Sequence, residues 1–328
     1  MAKISRILIT GGAGFIGSHL TERLLRDGHA VTIIDDCSTG TLANLSAVRN
    51  GPALTVIESR VSDCADLPVL CAQASFVYHL AAAVGVELVV RSPIRTIETN
   101  LDETEAILLA ASASKTPLLL ASTSEVYGKS TRAEFSENDD LLIGPPHLGR
   151  WSYACSKLMD EFLALGYHQE RELPVIIARL FNTVGLRQVG RYGMVIPRFV
   201  GAALQNKPLQ VYGSGEQTRC FCHVHDTVEA LVRLKDTPAA VGQVFNIGNT
   251  AEISINNLAK RVIELTKSTS SIEHIPYQEA YMPGFEDMLR RKPNIDKLRS
   301  VTGFQPTIGL DEMITNIIEA TAKPQALA

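Results

Sequence analysis

Along the first half of the chain, short β-branched apolar runs alternate with stretches whose apolar residues recur every three or four positions. RILIT at 6–10 is followed by the helical pattern SHLTERLLRDG, then by AVTIIDD, and later by FVYHLA, TPLLLAST and PVIIARLFN. Apolar runs without polar alternation are those of strands covered on both faces, so the pattern predicts βαβ units and a parallel sheet. Gly28 stands where the first helix should close. The predicted fold class is α/β, a doubly wound parallel sheet with a smaller C-terminal lobe. Beyond about residue 180 the pattern loosens, with Gly and Pro punctuation at GLRQVGRYG, QNKPLQ, YGSGEQ and YMPGFED. The expected division is a first lobe over 1–180, a second over 181–320 and an unstructured tail over 321–328. A segment near 220–250 returns to the first lobe, because VFNIGNT reads as a strand before the helical NLAKRVIELT.

The bulk composition narrows the class without naming a chemistry. With 328 residues, 45% hydrophobic and 20% charged, the chain is that of an ordinary globular protein. A net charge of -4 offers no field for nucleic acid or an anionic membrane, so any phosphate binding must be local. The apolar run after Lys3 and Arg6 is too short for a signal peptide or a membrane span, which predicts a soluble, cytoplasmic protein. Cysteines at 37, 64, 71, 155, 220 and 222 contain no CxxC, so neither a disulfide framework nor a zinc ribbon is expected. Cys220-Phe-Cys222-His223-Val-His225 resembles a ligand cluster, but alternation along a strand would put the cysteines and histidines on opposite faces, and no metal is expected.

Gly11, Gly14 and Gly17 form GxxGxxG between a strand-like and a helix-like run. A tight turn, close approach of backbone to a pyrophosphate and close helix–strand packing each require a residue without Cβ. The second strand ends in Asp35, eighteen residues after Gly17, where an acid binds a ribose 2′-hydroxyl and repels a 2′-phosphate. The expected cofactor is therefore NAD; the bland alternative is a turn whose glycines serve packing alone.

Tyr153 and Lys157 stand four apart in SYACSK and share a face if that stretch is helical. An ammonium and an oxidised nicotinamide would both favour the phenolate, making Tyr153 a base for a substrate hydroxyl. Upstream, LLLASTSEVYG delivers Ser122, Thr123 and Ser124 to the end of a buried strand, where open α/β sheets bind ligands. A bare YxxxK also occurs on solvated helices; the glycine loop and the hydroxyl cluster argue against that reading here.

Taken together, GGAGFIG, YHLAA, STSEVYG, SYACSK, RLFNTVG, YGSGEQTR and RRKPNI resemble the extended short-chain dehydrogenase/reductases that epimerise, dehydrate or decarboxylate nucleotide sugars. The resemblance implies that the doubly wound parallel sheet is a Rossmann-type domain with a tightly held NAD, with a UDP- or dTDP-sugar in the C-terminal lobe and a homodimer built from a helix pair on each subunit. Carried over by position, Thr123, Tyr153 and Lys157 are the catalytic trio, with Ser124 and Glu125 beside them. Gly11, Gly14, Phe15, Ile16, Gly17, Asp35, Asp36, Ser38, Gly40, Asp63, Leu80, Ala81, Ala82, Asn100 and Ser122 fall along the cofactor, together with Tyr153 and Lys157. Val86, Thr123, Asn182, Arg187, Arg191, Val195, Arg219 and Arg291 fall along the sugar nucleotide. For Arg187 and Arg191 the alternative is solvated loop charge, for Arg219 and Arg291 a surface ion pair, and for Glu125 a cap or a partner of a basic residue. Trp151 packs beside the sugar or in plain core. Two positions depart from the family pattern: Arg60 stands where an Asp is usual, leaving Asp63 to serve the adenine, and Glu103 replaces a helical glycine.

The resemblance implies a shared first step, oxidation at C4 of the sugar. A 4,6-dehydratase needs an Asp-Glu pair after the Thr, and here the pair is Ser124-Glu125. A UDP-glucuronate decarboxylase would share TSEVYG, yet its usual residues after HLA are replaced by AAVGV and its YDEGK by YACSK. The expected activity is therefore 4-epimerisation of UDP-glucuronate or UDP-glucose, with decarboxylation of UDP-glucuronate to UDP-xylose as the alternative. Dehydration, or an NAD-binding protein without turnover, ranks lower.

Overall fold

The computed structural model describes residues 5–83, 92–188, 194–280 and 288–322. Strands β1 (Arg6–Thr10), β2 (Ala30–Asp35), β3 (Leu54–Glu58), β4 (Phe76–His79), β5 (Leu118–Thr123), β6 (Val175–Leu180) and β11 (Gln243–Ile247) make one seven-stranded sheet. Every pairing in it is parallel and the order is β11-β6-β5-β4-β1-β2-β3. The chain thus winds outward from β1 in one direction and resumes at β4 in the other. The crevice at that reversal, over the carboxyl ends of the strands, is where this topology places a ligand.

Both faces are covered, as the unalternating runs require. On one face Ile7 and Ile9 pack with Leu20 and Leu24 of α1 (Phe15–Arg26) and with Val228 and Leu231 of α6 (Val224–Lys235). On the other, Leu8 joins Val77, Leu118, Leu120 and Ile177 beneath α3 (Pro93–Ser114) and α4 (Ser152–Arg171), with α2 (Leu67–Gln73) beside them. Successive side chains of β1 therefore serve two cores, the period-two geometry of a strand. Gly28, at φ +89°, follows α1 as its left-handed stop.

A third core joins Phe199 and Val200 of α5 (Val195–Leu204), Leu258 and Val262 of α7 (Ile255–Thr266), and Met313 and Ile317 of α9 (Leu310–Ala322). Around it lie β8 (Leu209–Tyr212) with β13 (Ile272–Ile275), and β9 (Thr218–Cys220) with β12 (Glu252–Ser254). Helix α8 (Asp296–Thr302) packs back against β11.

Two local expectations change. The tail expected from Thr321 is helical as far as Ala322, where the Thr321 hydroxyl donates to the Ile317 carbonyl at 2.8 Å. The stretch Cys220–His225 is not one strand: β9 ends at Cys220, β10 (Cys222–His223) pairs with β7 (Thr183–Val184), and α6 begins at Val224. His223 is its cap, accepting the His225 N–H at 3.2 Å, which brings the two rings to 4.7 Å.

Candidate active site

A cavity of about 760 Å³ lies over the carboxyl ends of β1, β2, β4, β5 and β6 and extends into the second lobe. At its floor the glycine loop is as tight as the motif requires. A Cβ on Gly17 would stand 2.0 Å from the Gly11 carbonyl oxygen, and one on Gly11, itself at φ +73°, would stand 2.8 Å from the Ala81 nitrogen. Gly40 supports the loop from below, its missing Cβ leaving room for the Ala13 carbonyl. Asp35 is buried and accepts the Ala13 and Cys37 amides, each at 2.8 Å, while still facing the cavity. Burial pushes its carboxyl up, opposed by those amides, so a ribose diol donating to it finds a strong acceptor. Phe15, Ile16, Asp36, Ser38, Leu80, Ala81 and Ala82 line the same wall. A cradle that excludes Cβ atoms and ends in a buried carboxylate fits a dinucleotide with an unsubstituted ribose.

Further along, β5 ends in Thr123, whose hydroxyl oxygen accepts the Glu125 N–H at 3.2 Å and is hydrogen-bonded to the Tyr153 hydroxyl. Tyr153 and Lys157 lie one turn apart on α4 and both line the cavity. Lys157 is fully buried and its Nζ donates to Asp160 at 2.8 Å, an equally buried carboxylate one turn on. The expectation that the ammonium lowers the Tyr153 pKa is therefore corrected: the lysine's charge is shared with Asp160. Burial first, and then the Glu125 carboxylate, push the phenol above its ordinary value, against the Thr123 hydrogen bond. Ser122 lines the cavity, but its hydroxyl donates to Glu161 at 2.5 Å, and Glu161 also holds Arg179 through Nη2 at 2.7 Å. That buried pair ties β5, β6 and α4 together beneath the trio.

Glu125 occupies the junction of the lobes. Its carboxylate sits between the guanidiniums of Arg150, at 2.5 Å, and Arg291, which also donates to the Asn182 side chain at 2.6 Å. Burial alone would raise its pKa, but the two arginines outweigh it and hold it at about 2. Ser124, Asn182, Val195, Arg219 and Arg291 all line this end of the cavity. Trp151 is buried under Gly144 at the entry of α4, with Arg150 over its ring at 5.5 Å.

Several expected contacts lie elsewhere. Arg187 does not line the cavity; it pairs with Glu22 at 2.6 Å and with the Ser18 hydroxyl at 3.2 Å, fastening its loop to α1. Asp63 is exposed and outside the cavity wall. Asn100 is buried behind that wall, accepting the Ala83 N–H at 2.8 Å and donating to Ser156 at 3.0 Å, so it positions the loop after β4 without facing the cavity. Val86 and Arg191 lie outside the described residues, as does the end of the AAVGV segment. The residues that sequence reasoning passed over are Arg150, Asp160 and Glu161. The i+3 spacing of Asp160 from Lys157 was the available signal, whereas nothing local marks Arg150.

Residues 8–317 match the GDP-mannose 4,6 dehydratase family. The chain belongs to this family of extended short-chain dehydrogenase/reductases. It is 44% identical over 315 residues to a UDP-N-acetyl-alpha-D-glucosaminuronate decarboxylase of Bacillus cytotoxicus, covering 96% of this chain and 97% of that protein. It is 35% identical to UDP-glucuronic acid decarboxylase 1 of Danio rerio, over 96% of this chain and 72% of the relative. Among solved structures, it superimposes on a UDP-glucuronic acid 4-epimerase from Bacillus cereus, in complex with UDP-glucuronic acid and NAD, with a TM-score of 0.85. That pair is 28% identical and the match covers 96% of this chain and 98% of the other. The chain is thus an enzyme of the extended type whose cofactor is NAD. No helix among the described residues is long and apolar enough to cross a membrane.

Proposed function

We propose that this enzyme decarboxylates a UDP-hexuronate through a 4-keto intermediate. The observation that carries the reading is the Arg150–Glu125–Arg291 cluster beside Tyr153 and Thr123. A 4-epimerase of an uncharged hexose needs the trio and room for the sugar to turn, and has no use for a charged cluster at the ring, so the cluster favours a hexuronate as substrate. A 4,6-dehydratase needs an acid to protonate the departing hydroxyl, and Glu125, held at about 2, carries no proton at neutral pH. Two guanidiniums against one carboxylate leave one positive charge, which suits a substrate that brings a carboxylate of its own. The decarboxylases among the relatives favour the same reaction over the epimerisation put first by the sequence.

NAD held by the glycine loop and Asp35 would supply reversible hydride acceptance at C4. Tyr153, hydrogen-bonded to Thr123, takes the C4 hydroxyl proton, leaving a ketone β to the C6 carboxylate. The C5–C6 bond then breaks, CO2 leaves, and the bonding pair moves toward the C4 oxygen, where the Tyr153 and Thr123 hydroxyls receive the charge. A proton at C5 gives a 4-keto pentose, and return of the hydride to C4 with the Tyr153 proton to its oxygen would complete the UDP-pentose and restore the cofactor. Arg219, on β9, and Asn182 lie at the end of the cavity suited to the diphosphate.

Purified enzyme given UDP-N-acetylglucosaminuronate or UDP-glucuronate is expected to release CO2 and form a UDP-pentose, followed by NMR. Recovery of a C4-epimeric hexuronate with its carboxylate retained would overturn the reading.

The same reading includes a homodimer. Ile94, Leu109, Met159 and Phe162 are 72%, 54%, 55% and 65% exposed on the adjacent helices α3 and α4, a twin apolar surface suited to a second copy in a four-helix contact. Light scattering after gel filtration should give the mass of two chains, and Phe162→Asp that of one. A monomeric wild type at micromolar concentration would remove the proposal.

A further inference from the structure

Arg60 and Glu103, the two positions that depart from the family pattern, are bonded to each other. Glu103 projects from α3 to the carboxyl end of β3, where it is 4% exposed and its oxygens accept Arg60 Nε at 3.0 Å, Val61 N–H at 2.6 Å, Ser62 N–H at 3.3 Å and the Ser62 hydroxyl at 2.9 Å. It is saturated. The two amides that the loop after β3 would otherwise offer to a ligand are spent on it. Arg60, by contrast, is 40% exposed, lines the cavity, and uses only Nε on Glu103; its Nη groups have no hydrogen-bond partner among the described residues.

The location gives those donors a target. Tyr153 and Lys157 mark the reacting end of the cavity and Asp35, at the end of β2, marks the adenosine ribose. β3 lies one strand further out, so the Ile34, Ser59, Arg60 and Val61 wall is where the purine attached to that ribose belongs. A guanidinium is donor-only. It matches the 6-oxygen and N7 of a 6-oxopurine as a pair, whereas adenine offers N7 beside an amino group that is itself a donor.

We propose that Arg60, anchored by Glu103, makes this cofactor site tolerant of a 6-oxopurine in place of adenine, so that nicotinamide hypoxanthine dinucleotide binds on nearly equal terms with NAD. The inference rests on the NAD site and is independent of the reaction proposed for the sugar. Purified protein is equilibrated with NAD and the hypoxanthine dinucleotide in equal excess, gel-filtered, and the bound dinucleotides released and quantified by chromatography. The bound ratio should lie within about threefold of unity in the wild type. Arg60→Asp, which substitutes an acceptor for the donors, should raise the preference for NAD by about fivefold or more, the scale of one gained and one mismatched hydrogen bond. Arg60→Ala should fall between. Arg60 is partly exposed and Glu103 keeps its three other bonds; a melting transition checks that both variants are folded, with Arg60→Ala as the variant that places no second carboxylate beside Glu103. A ratio unchanged by Arg60→Asp would overturn the inference and assign the choice of purine to the exposed carboxylates of Glu98 and Asp102 on the same rim.

Discussion

Replacing Tyr153 by Phe is expected to lower turnover of the UDP-hexuronate by roughly 10²–10⁴-fold, the usual range for losing a general base or acid. NAD should stay bound, because the glycine loop and Asp35 are untouched. The phenol is the group that meets both the Thr123 hydroxyl and the cavity, and no other described acid or base stands in that position. Its raised pKa sharpens the expectation. With Lys157 committed to Asp160, the protein alone does not supply the charge that would ionise Tyr153, so the proton transfer depends on the loaded site. Single-turnover absorbance of the reduced nicotinamide, with bound NAD quantified separately, checks both halves. Turnover within threefold of the wild type would remove Tyr153 from the mechanism.

Arg291→Met is expected to suppress CO2 release by about 100-fold or more, in keeping with about 2–5 kcal/mol for truncating one partner of a buried, hydrogen-bonded charge pair. One change removes a partner of Asn182, half of the compensation of Glu125 and, on the reading proposed above, a ligand for the substrate carboxylate. The pH dependence separates these roles. In the wild type the carboxyl of Glu125 is depressed, so the stability its cluster contributes is fully present above the ordinary carboxylate range, near 4.5, and is lost only as pH falls through about 2. With one guanidinium gone, burial is less well opposed and Glu125 takes up its proton at higher pH. The acid limb of the rate profile should therefore move upward in Arg291→Met and back toward wild type in Arg291→Lys. An unshifted limb, with loss confined to KM, would reduce Arg291 to substrate binding.

Much of the fold and of the cofactor site was legible because its signals are local in the chain. A glycine loop, an acid at the end of the next strand, and a Tyr and Lys one turn apart each lie within a short segment whose conformation follows from periodicity. The sugar-reacting end was less legible because it is assembled from Glu125 after β5, Arg150 before α4 and Arg291 in the second lobe, and charges so far apart in sequence acquire meaning only when folding removes water between them. Arg187 was misplaced for the converse reason: an arginine in a glycine-rich loop looks ready for phosphate until Glu22 and Ser18 of the first helix claim it. Arg60 and Glu103 each looked like a loss against the family pattern, yet they are one bonded unit.

By itself, the sequence determined the parallel sheet, the dinucleotide loop with its preference for NAD, and hydride chemistry at a hydroxyl, since each depends on backbone geometry and on neighbours within a turn or a strand. Only the tertiary structure decided that the lysine's charge is balanced by Asp160, that Glu125 is kept ionised by two arginines, and that Arg60 and Glu103 at the end of β3 form one bonded unit on the cavity wall. Those properties are set by burial and by the distance between charges, and neither quantity exists until the strands and the second lobe have closed around the cavity.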